Sequence, residues 1–411
     1  MKNQIIILIS CCLLVSSCHV GRFFTKFKAN ITDHKIFPYT EVSTGENLSR
    51  LPTSEKEHQF TIKFSSGKER DLDDYLQETT TVSFLVIQGD SILYEKYYQD
   101  YQPDDISNIF SVSKSVTSLL VGIAIDEGKI NSIKDPVVNY IPELNDADPL
   151  YKELTIEDLL NMRSGLKFTE AYGTPFAHVA RLYYGTNQMK QIKRLKFENE
   201  PGEVHRYQSI STSILGVIVE RATNMELGEY LEQKVWQPMG MEFDATWSVD
   251  DKKHRSGKAF CCLNTTARDL AKIGLLYKND GKWNGKQIVS SNWVQQSKTA
   301  NMENDCYQYQ WYAPSGVGYK DREELIYPDS LSAVQGATEM GYKHFYVDKK
   351  SEDTNDWHIH YCSEDFYALG ILGQYLYVNP KNDLVFVRLG EKWDNNYDRI
   401  FRQIVGQVAS E

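Results

Sequence analysis

Ser111 and Lys114 are the residues of this chain whose types and spacing most directly suggest chemistry. They open the stretch Asn108-Ile109-Phe110-Ser111-Val112-Ser113-Lys114-Ser115-Val116-Thr117-Ser118-Leu119-Leu120. Val112, Val116, Leu119, Leu120 and Ile123 recur at intervals of three and four, which predicts a buried amphipathic helix that Gly128 stops. Residues three apart on a helix share a face, so the hydroxyl and the amine are within reach of each other. A serine at a helix N-terminus beside a desolvated amine can become a nucleophile without histidine. Burial favours the neutral lysine, which can then serve as a base near neutral pH. The pattern alone is weak: Ser-x-x-Lys also occurs as Ser65/Lys68 and Ser164/Lys167, and a serine at a helix start is often only a cap.

The elements around each pair separate them. Ser65/Lys68 sits beside Gly67 in a turn-like stretch. Ser164/Lys167 straddles the end of a helix predicted over 155–162, capped by Thr155 and stopped at Gly165. A hairpin is predicted over 81–99, where Val82, Phe84, Val86, Ile92 and Tyr94 alternate about Gln88-Gly89-Asp90. Tyr207 stands just ahead of a helix that buries Ile214, Leu215, Val217 and Ile218. A further helix is predicted over 265–276, and the loop over 348–356 is read as solvated. Two strand-like runs, 370–378 and 384–389, turn at Asn379-Pro380, and a closing helix spans 393–408. His358 and His360 would share a strand face, but without a third ligand pattern they read as packed or surface histidines, and no metal site is predicted.

Bulk properties narrow the classes. With 411 residues, 41% hydrophobic and 12% aromatic, the chain has a folded protein's composition. A net charge of -11 argues against nucleic acid as a partner. Lys2 followed by a short apolar run over 5–15 reads as a cleaved export signal. Val15-Ser16-Ser17-Cys18 looks like a bacterial lipobox, predicting acylation at Cys18 and a lipid-anchored protein of the bacterial cell envelope, on the outer membrane or the periplasmic face. Residues 1–18 are therefore taken as the signal, 19–79 as a polar tether and lead-in, and 80–411 as the folded domain. Cys261, Cys262, Cys306 and Cys362 remain, and no disulfide is predicted; the neighbours Cys261 and Cys262 are poor partners for each other.

Three separated pieces then fall in one order: Ser111-x-x-Lys114, Tyr207-Gln208-Ser209 and Leu372-Gly373-Gln374. The set resembles the serine beta-lactamase and penicillin-binding-protein superfamily, whose motifs are Ser-x-x-Lys, Tyr-x-Asn and Lys-Thr-Gly. Within it, the chain looks most like the class C related esterases and 6-aminohexanoate-dimer hydrolases. The resemblance implies an α/β fold of the α+β type, beta-lactamase/transpeptidase-like, with an antiparallel sheet flanked by helices and an inserted helical region. It implies Ser111 as nucleophile, Lys114 as proton acceptor and Tyr207 as proton relay. It implies an oxyanion hole from the backbone N–H groups of Ser111 and Gln374, with Ser209, Tyr172 and Leu372 toward the substrate. It implies no cofactor and a small-molecule ester or amide substrate.

Two departures from the family pattern bear on substrate. Ser209 replaces the asparagine of the second motif, and Ile371-Leu372 replace the lysine and threonine that would bind a carboxylate. An apolar side chain cannot pair an anion, so poor activity on penicillins and D-alanyl-D-alanine peptides is expected. The alternatives are a penicillin-interactive beta-lactamase or D-Ala-D-Ala carboxypeptidase that finds its carboxylate contact elsewhere, and a catalytically silent lipid-anchored binding protein on the same fold.

Overall fold

Strands from both ends of the chain, the central ones buried on both faces, build the central sheet. The computed structural model describes residues 19–25, 28–56, 58–64, 67–320, 323–349, 355–394 and 396–410. Strands β1 (Thr81–Gln88) and β2 (Ser91–Tyr97) form the expected hairpin. Strands β3 (Tyr307–Gln308), β4 (Trp311–Tyr312), β5 (Phe366–Gly370), β6 (Gln374–Asn379) and β7 (Leu384–Gly390) complete an antiparallel sheet in the order β3-β4-β5-β6-β7-β1-β2. Pairing of β7 with β1 aligns Phe386 with Val86 and Arg388 with Phe84, closing the C-terminal part of the chain onto its N-terminal part.

Helices α2 (Val112–Asp126), α5 (Ala267–Lys278) and α6 (Tyr397–Val408) pack on this sheet, while α1 (His19–Thr25), α3 (His178–Tyr184) and α4 (Ser209–Thr223) pack on other helices, α1 on α3 and α4 on α2. Leu85, Ile87, Leu376, Val378, Val385 and Val387 point into the larger core, shared with α2, α4 and α5. Their strand neighbours Phe84, Val86, Tyr375, Tyr377 and Phe386 point the other way, against α6. Phe401 of α6 lies 5.1 Å from the ring centroids of both Tyr377 and Phe386. Helix α5 rests on the sheet at Gly274, where a Cβ would sit 2.8 Å from Leu376 and from Val385.

Helix α2 is buried all round from Val112 to Ala124, more completely than an amphipathic helix would be. It lies between sheet and helices, so its polar side chains bond inside the core. Thr117 donates to Ala259 O at 2.9 Å, and Ser115 donates to Gln310 O at 2.7 Å.

Three expectations change. The lead-in is packed rather than loose: Tyr39–Val42 pairs antiparallel with Ala245–Ser248, Ile31 and Val42 are fully buried, and α1 packs on α3. The loop expected over 348–356 begins inside a strand, because His344–Lys349 pairs with Trp357–Cys362; residues 350–354 lie outside the described residues, as do 1–18 with Cys18. The expectation of no disulfide is overturned at both pairs, Cys261–Cys262 and Cys306–Cys362. Neighbouring cysteines can bridge where the backbone turns sharply, and Cys262 has φ 75°. Cys306 and Cys362, 56 positions apart, are brought to a Cα separation of 5.7 Å, within the reach of a bridge.

Candidate active site

Ser111 is presented by a short backbone clamp. Ser107–Asn108 pairs with Asn264–Thr265, and the Asn108 side chain accepts the Phe110 N–H at 2.9 Å. That turn holds Phe110 at φ 46°, a left-handed conformation for a bulky residue, immediately before the serine. Ser111 then occupies the N-cap position of α2, yet its hydroxyl makes no capping bond. It lies 2.9 Å from Lys114 Nζ instead.

Lys114 is 2% exposed and donates to Phe260 O at 2.6 Å, with its ammonium nitrogen 5.1 Å from the Tyr207 ring centroid. Burial lowers its pKa to about 7, against which the negative charge of Glu170 pulls upward. Near neutrality a substantial part of the lysine is therefore neutral and able to take a proton from the hydroxyl. The chain bearing Phe260 is the one closed by the Cys261–Cys262 bridge.

Tyr207 is placed by its neighbours in sequence. Arg206 N–H donates to Met162 O at 2.8 Å, and the Gln208 amide donates to Leu166 O at 2.9 Å while accepting from Ser164 at 3.1 Å. The ring of Tyr207 stacks toward Tyr312 and meets Tyr307 edge-on, each at 6.3 Å. Burial, and then the nearby Tyr172 and Tyr307, push its pKa well above that of a free phenol, opposed by hydrogen bonding with Ser111. Tyr207 is thus a neutral phenol near neutral pH, not a standing phenolate. Ser164 faces Gln208 in the core while Lys167 is exposed, so that second Ser-x-x-Lys pair does not meet.

Glu170, which no motif singled out, organises the second segment. Its carboxylate accepts from Ser209 N–H at 2.9 Å, from the Ser209 hydroxyl, and from Tyr172 OH at 2.7 Å. Ser209 is thereby committed to Glu170, and Tyr172 is fixed at the cleft wall. The only sequence signal was an acid two residues before an aromatic in a mixed stretch.

The third segment abuts the first. Gly370 pairs with Gln374, and a Cβ on Gly370 would lie 2.5 Å from Ile109 O, two residues before Ser111. The turn at Leu372 (φ 64°) and Gly373 (φ 78°) is held by Arg388, which is fully buried. Arg388 donates to Leu372 O at 2.9 Å, Gly373 O at 2.7 Å, Lys392 O at 3.1 Å and Thr79 O at 2.8 Å. The Gln374 side chain ties to Gly390 O at 2.7 Å, which fixes the start of β6. A charge inside the apolar run Leu384–Leu389 was the signal that could have drawn attention to Arg388. Ser111, Tyr172, Ser209 and Leu372 line one cavity of about 470 Å³, and Lys114 and Tyr207 reach it through Ser111.

An antiparallel sheet joining both ends of the chain, with a hydroxyl, a buried amine and a phenol gathered at one helix start, defines a protein of the beta-lactamase/transpeptidase-like fold. The chain belongs to the beta-lactamase family, a hydrolytic family whose match covers residues 69–407. It is 28% identical over 338 residues to the 6-aminohexanoate-dimer hydrolase of Paenarthrobacter ureafaciens, covering 78% of this chain and 74% of that one. It is also 28% identical over 184 residues to a candidate D-alanyl-D-alanine carboxypeptidase of Escherichia coli K12, covering 39% of this chain and 42% of the relative. Among solved structures, a candidate 6-aminohexanoate-dimer hydrolase from Bacillus anthracis aligns with a TM-score of 0.74 at 21% identity, covering 93% and 94% of the two chains. A class C beta-lactamase in complex with cefoxitin aligns at 0.54 and 16% identity, covering 82% and 96%. These last two likenesses carry the fold.

Proposed function

We propose that the protein is a serine hydrolase that cleaves an ester or amide through an acyl-enzyme at Ser111. The observation that carries this is the Lys114 amine, buried, near neutral at physiological pH and 2.9 Å from the Ser111 oxygen. Lys114 takes the hydroxyl proton as the oxygen attacks the carbonyl carbon. Tyr207 passes a proton to the departing alcohol or amine as the acyl bond breaks. Water then adds to the ester at Ser111, giving a proton to the Lys114–Tyr207 pair, which passes it to the Ser111 oxygen as the bond to the acyl carbon breaks and the acid leaves. The N–H groups of Ser111 and Gln374 are assigned to the developing oxyanion, where each such donor is worth about 3–4 kcal/mol of barrier.

The apolar Leu372 at the third-motif end supports a substrate without an anionic group there. The relative named as a 6-aminohexanoate-dimer hydrolase supports hydrolysis as the reaction type. A fluorophosphonate probe should label Ser111, and Ser111→Ala should abolish both labelling and turnover of a short ester panel; unchanged turnover would sink the assignment. Covalent labelling of Ser111 by a tagged penicillin would instead favour the penicillin-interactive reading. We further propose that acylated Cys18 anchors the protein in the bacterial envelope. Metabolic incorporation of an alkyne-tagged fatty acid, lost in Cys18→Ser, tests that assignment.

A further inference from the structure

The wall around Ser111 is mostly hydrocarbon and ring, with Lys28, Asn30, Ser209 and Glu391 as its other polar members. Phe110 and Phe260 flank the serine and Leu372 closes one end. Val179 and Tyr184 of α3 form the far side, and Phe23 of α1 covers them, its ring edge-on to Tyr184 at 5.8 Å. The polar groups nearby are already committed. Tyr183 OH donates to Asp33 at 2.6 Å, and the buried Lys258 ammonium donates to Tyr183 O at 2.7 Å. The charged residues on the wall are Lys28, which is exposed, and Glu391, of opposite sign. Among the described residues lining the cavity, a substrate anion would therefore meet no buried cation: Lys114 behind Ser111 is held by Ser111 and Phe260 O, and Lys258 behind Tyr183 is held by Tyr183 O.

The apolar surface continues outward. Phe24 is 57% exposed beside Phe23, and Phe176 is 76% exposed beside Pro175, whose backbone meets His19 of α1. A cavity of about 470 Å³ is the size of a small-molecule site, far larger than an acetyl group needs.

We propose that this cleft binds an apolar arm of the substrate, an aliphatic or aryl-alkyl chain of roughly six to ten carbons, so that Ser111 acts on medium-chain rather than acetyl-sized esters or amides. The proposal deepens the acyl-serine hydrolase reading and rests on it. Binding energy then comes from dehydrating methylenes against Val179, Tyr184 and Phe23, with no charge pairing required.

Alkyl fluorophosphonates of graded chain length, applied to the full-length mature protein below their micelle concentrations, test both layers at once. The second-order rate of labelling at Ser111 should rise about three- to fourfold per added methylene and peak between roughly six and ten carbons. Val179→Trp, which fills the far wall, should move that optimum to shorter chains. Phe23→Ala, which opens the cover, should move it to longer ones and remains informative where the tryptophan variant fails to fold. Labelling at Ser111 with a rate flat or falling in chain length would overturn the apolar-arm proposal and leave the nucleophile intact. No labelling at any length would overturn the hydrolase reading beneath it.

Discussion

Lys114 makes a quantitative demand on pH. Its pKa is lowered to about 7 because burial disfavours the charged form, so the proton acceptor exists in quantity only above that pH. For a single base of that pKa the neutral fraction is about 1% at pH 5, about half at pH 7 and about nine-tenths at pH 8. The second-order rate of Ser111 phosphonylation by a short-chain probe should therefore climb roughly tenfold per pH unit below 7, rise about 90-fold between pH 5 and 8, and level off. Tyr207 adds no alkaline limb below pH 10, since burial holds its proton. Glu170→Gln gives the sign a second check. Removing the carboxylate makes protonated Lys114 less favourable, so its pKa falls, the neutral amine persists to lower pH, and the limb moves in the acid direction. The assay is labelling rate against pH on wild type and variant, with circular dichroism to confirm folding at each end. A rate still climbing tenfold per unit through pH 9 would mean an ordinary lysine of pKa about 10.4 and would refute the burial argument. A limb that moves alkaline in Glu170→Gln would refute the placement of Glu170's charge toward the amine.

Three other perturbations have outcomes that follow from the geometry. Arg388→Met leaves the carbonyls of Leu372 and Gly373 without their donor, while Thr79 O keeps the Thr80 hydroxyl; at about 1–3 kcal/mol for each carbonyl left unpaired, urea unfolding should show a loss of about 2 kcal/mol or more, with slower labelling at Ser111. Gly370→Ala puts a methyl 2.5 Å from Ile109 O, which must move and carry Phe110–Ser111 with it; labelling of Ser111 should slow about tenfold or more while circular dichroism changes little. Cys306→Ala with Cys362→Ala opens a closure of 56 positions, for which chain entropy predicts about 4 kcal/mol at most, read as a lower urea midpoint that reduction of the wild type reproduces in part.

Local pattern was enough to place the elements that carry Ser111, Lys114 and Tyr207. Their helices were legible because apolar spacing and stop signals such as Gly128 act within a few residues, and the rejected Ser164/Lys167 pair failed for the local reason given by its helix end. The hairpins near both ends of the chain were legible for the same reason, through alternation and turn residues. What stayed hidden depends on partners far along the chain. Glu170 matters because Ser209 and Tyr172 donate to it, and a lone acid in a mixed stretch does not announce that. Arg388 is an arginine among strand valines until the fold brings Leu372 O and Gly373 O to it. The bridge at Cys261–Cys262 turns on one backbone angle, which residue types do not encode.

The same division explains why reaction type and substrate are not equally readable. Chemistry at Ser111 needs a few groups at short range, and their types and order survive as motifs. Recognition draws on α1 and α3, whose Phe23, Val179 and Tyr184 belong to no motif and reach the cleft only through packing of α1 on α3. Ser209 and Leu372 line the cleft from inside motifs, but Ser209 is committed to Glu170, and Leu372 by its apolar character could state only what the cleft does not pair with. The lead-in that looked like a mere tether supplies the cover of that cleft. Because Ile31 and Val42 of that lead-in are buried and Ile31 O accepts the Asn108 N–H at 2.8 Å, the test must be a point change: Phe23→Ala takes one ring from the wall without touching those contacts, so selectivity for chain length should shift before reactivity toward small probes does.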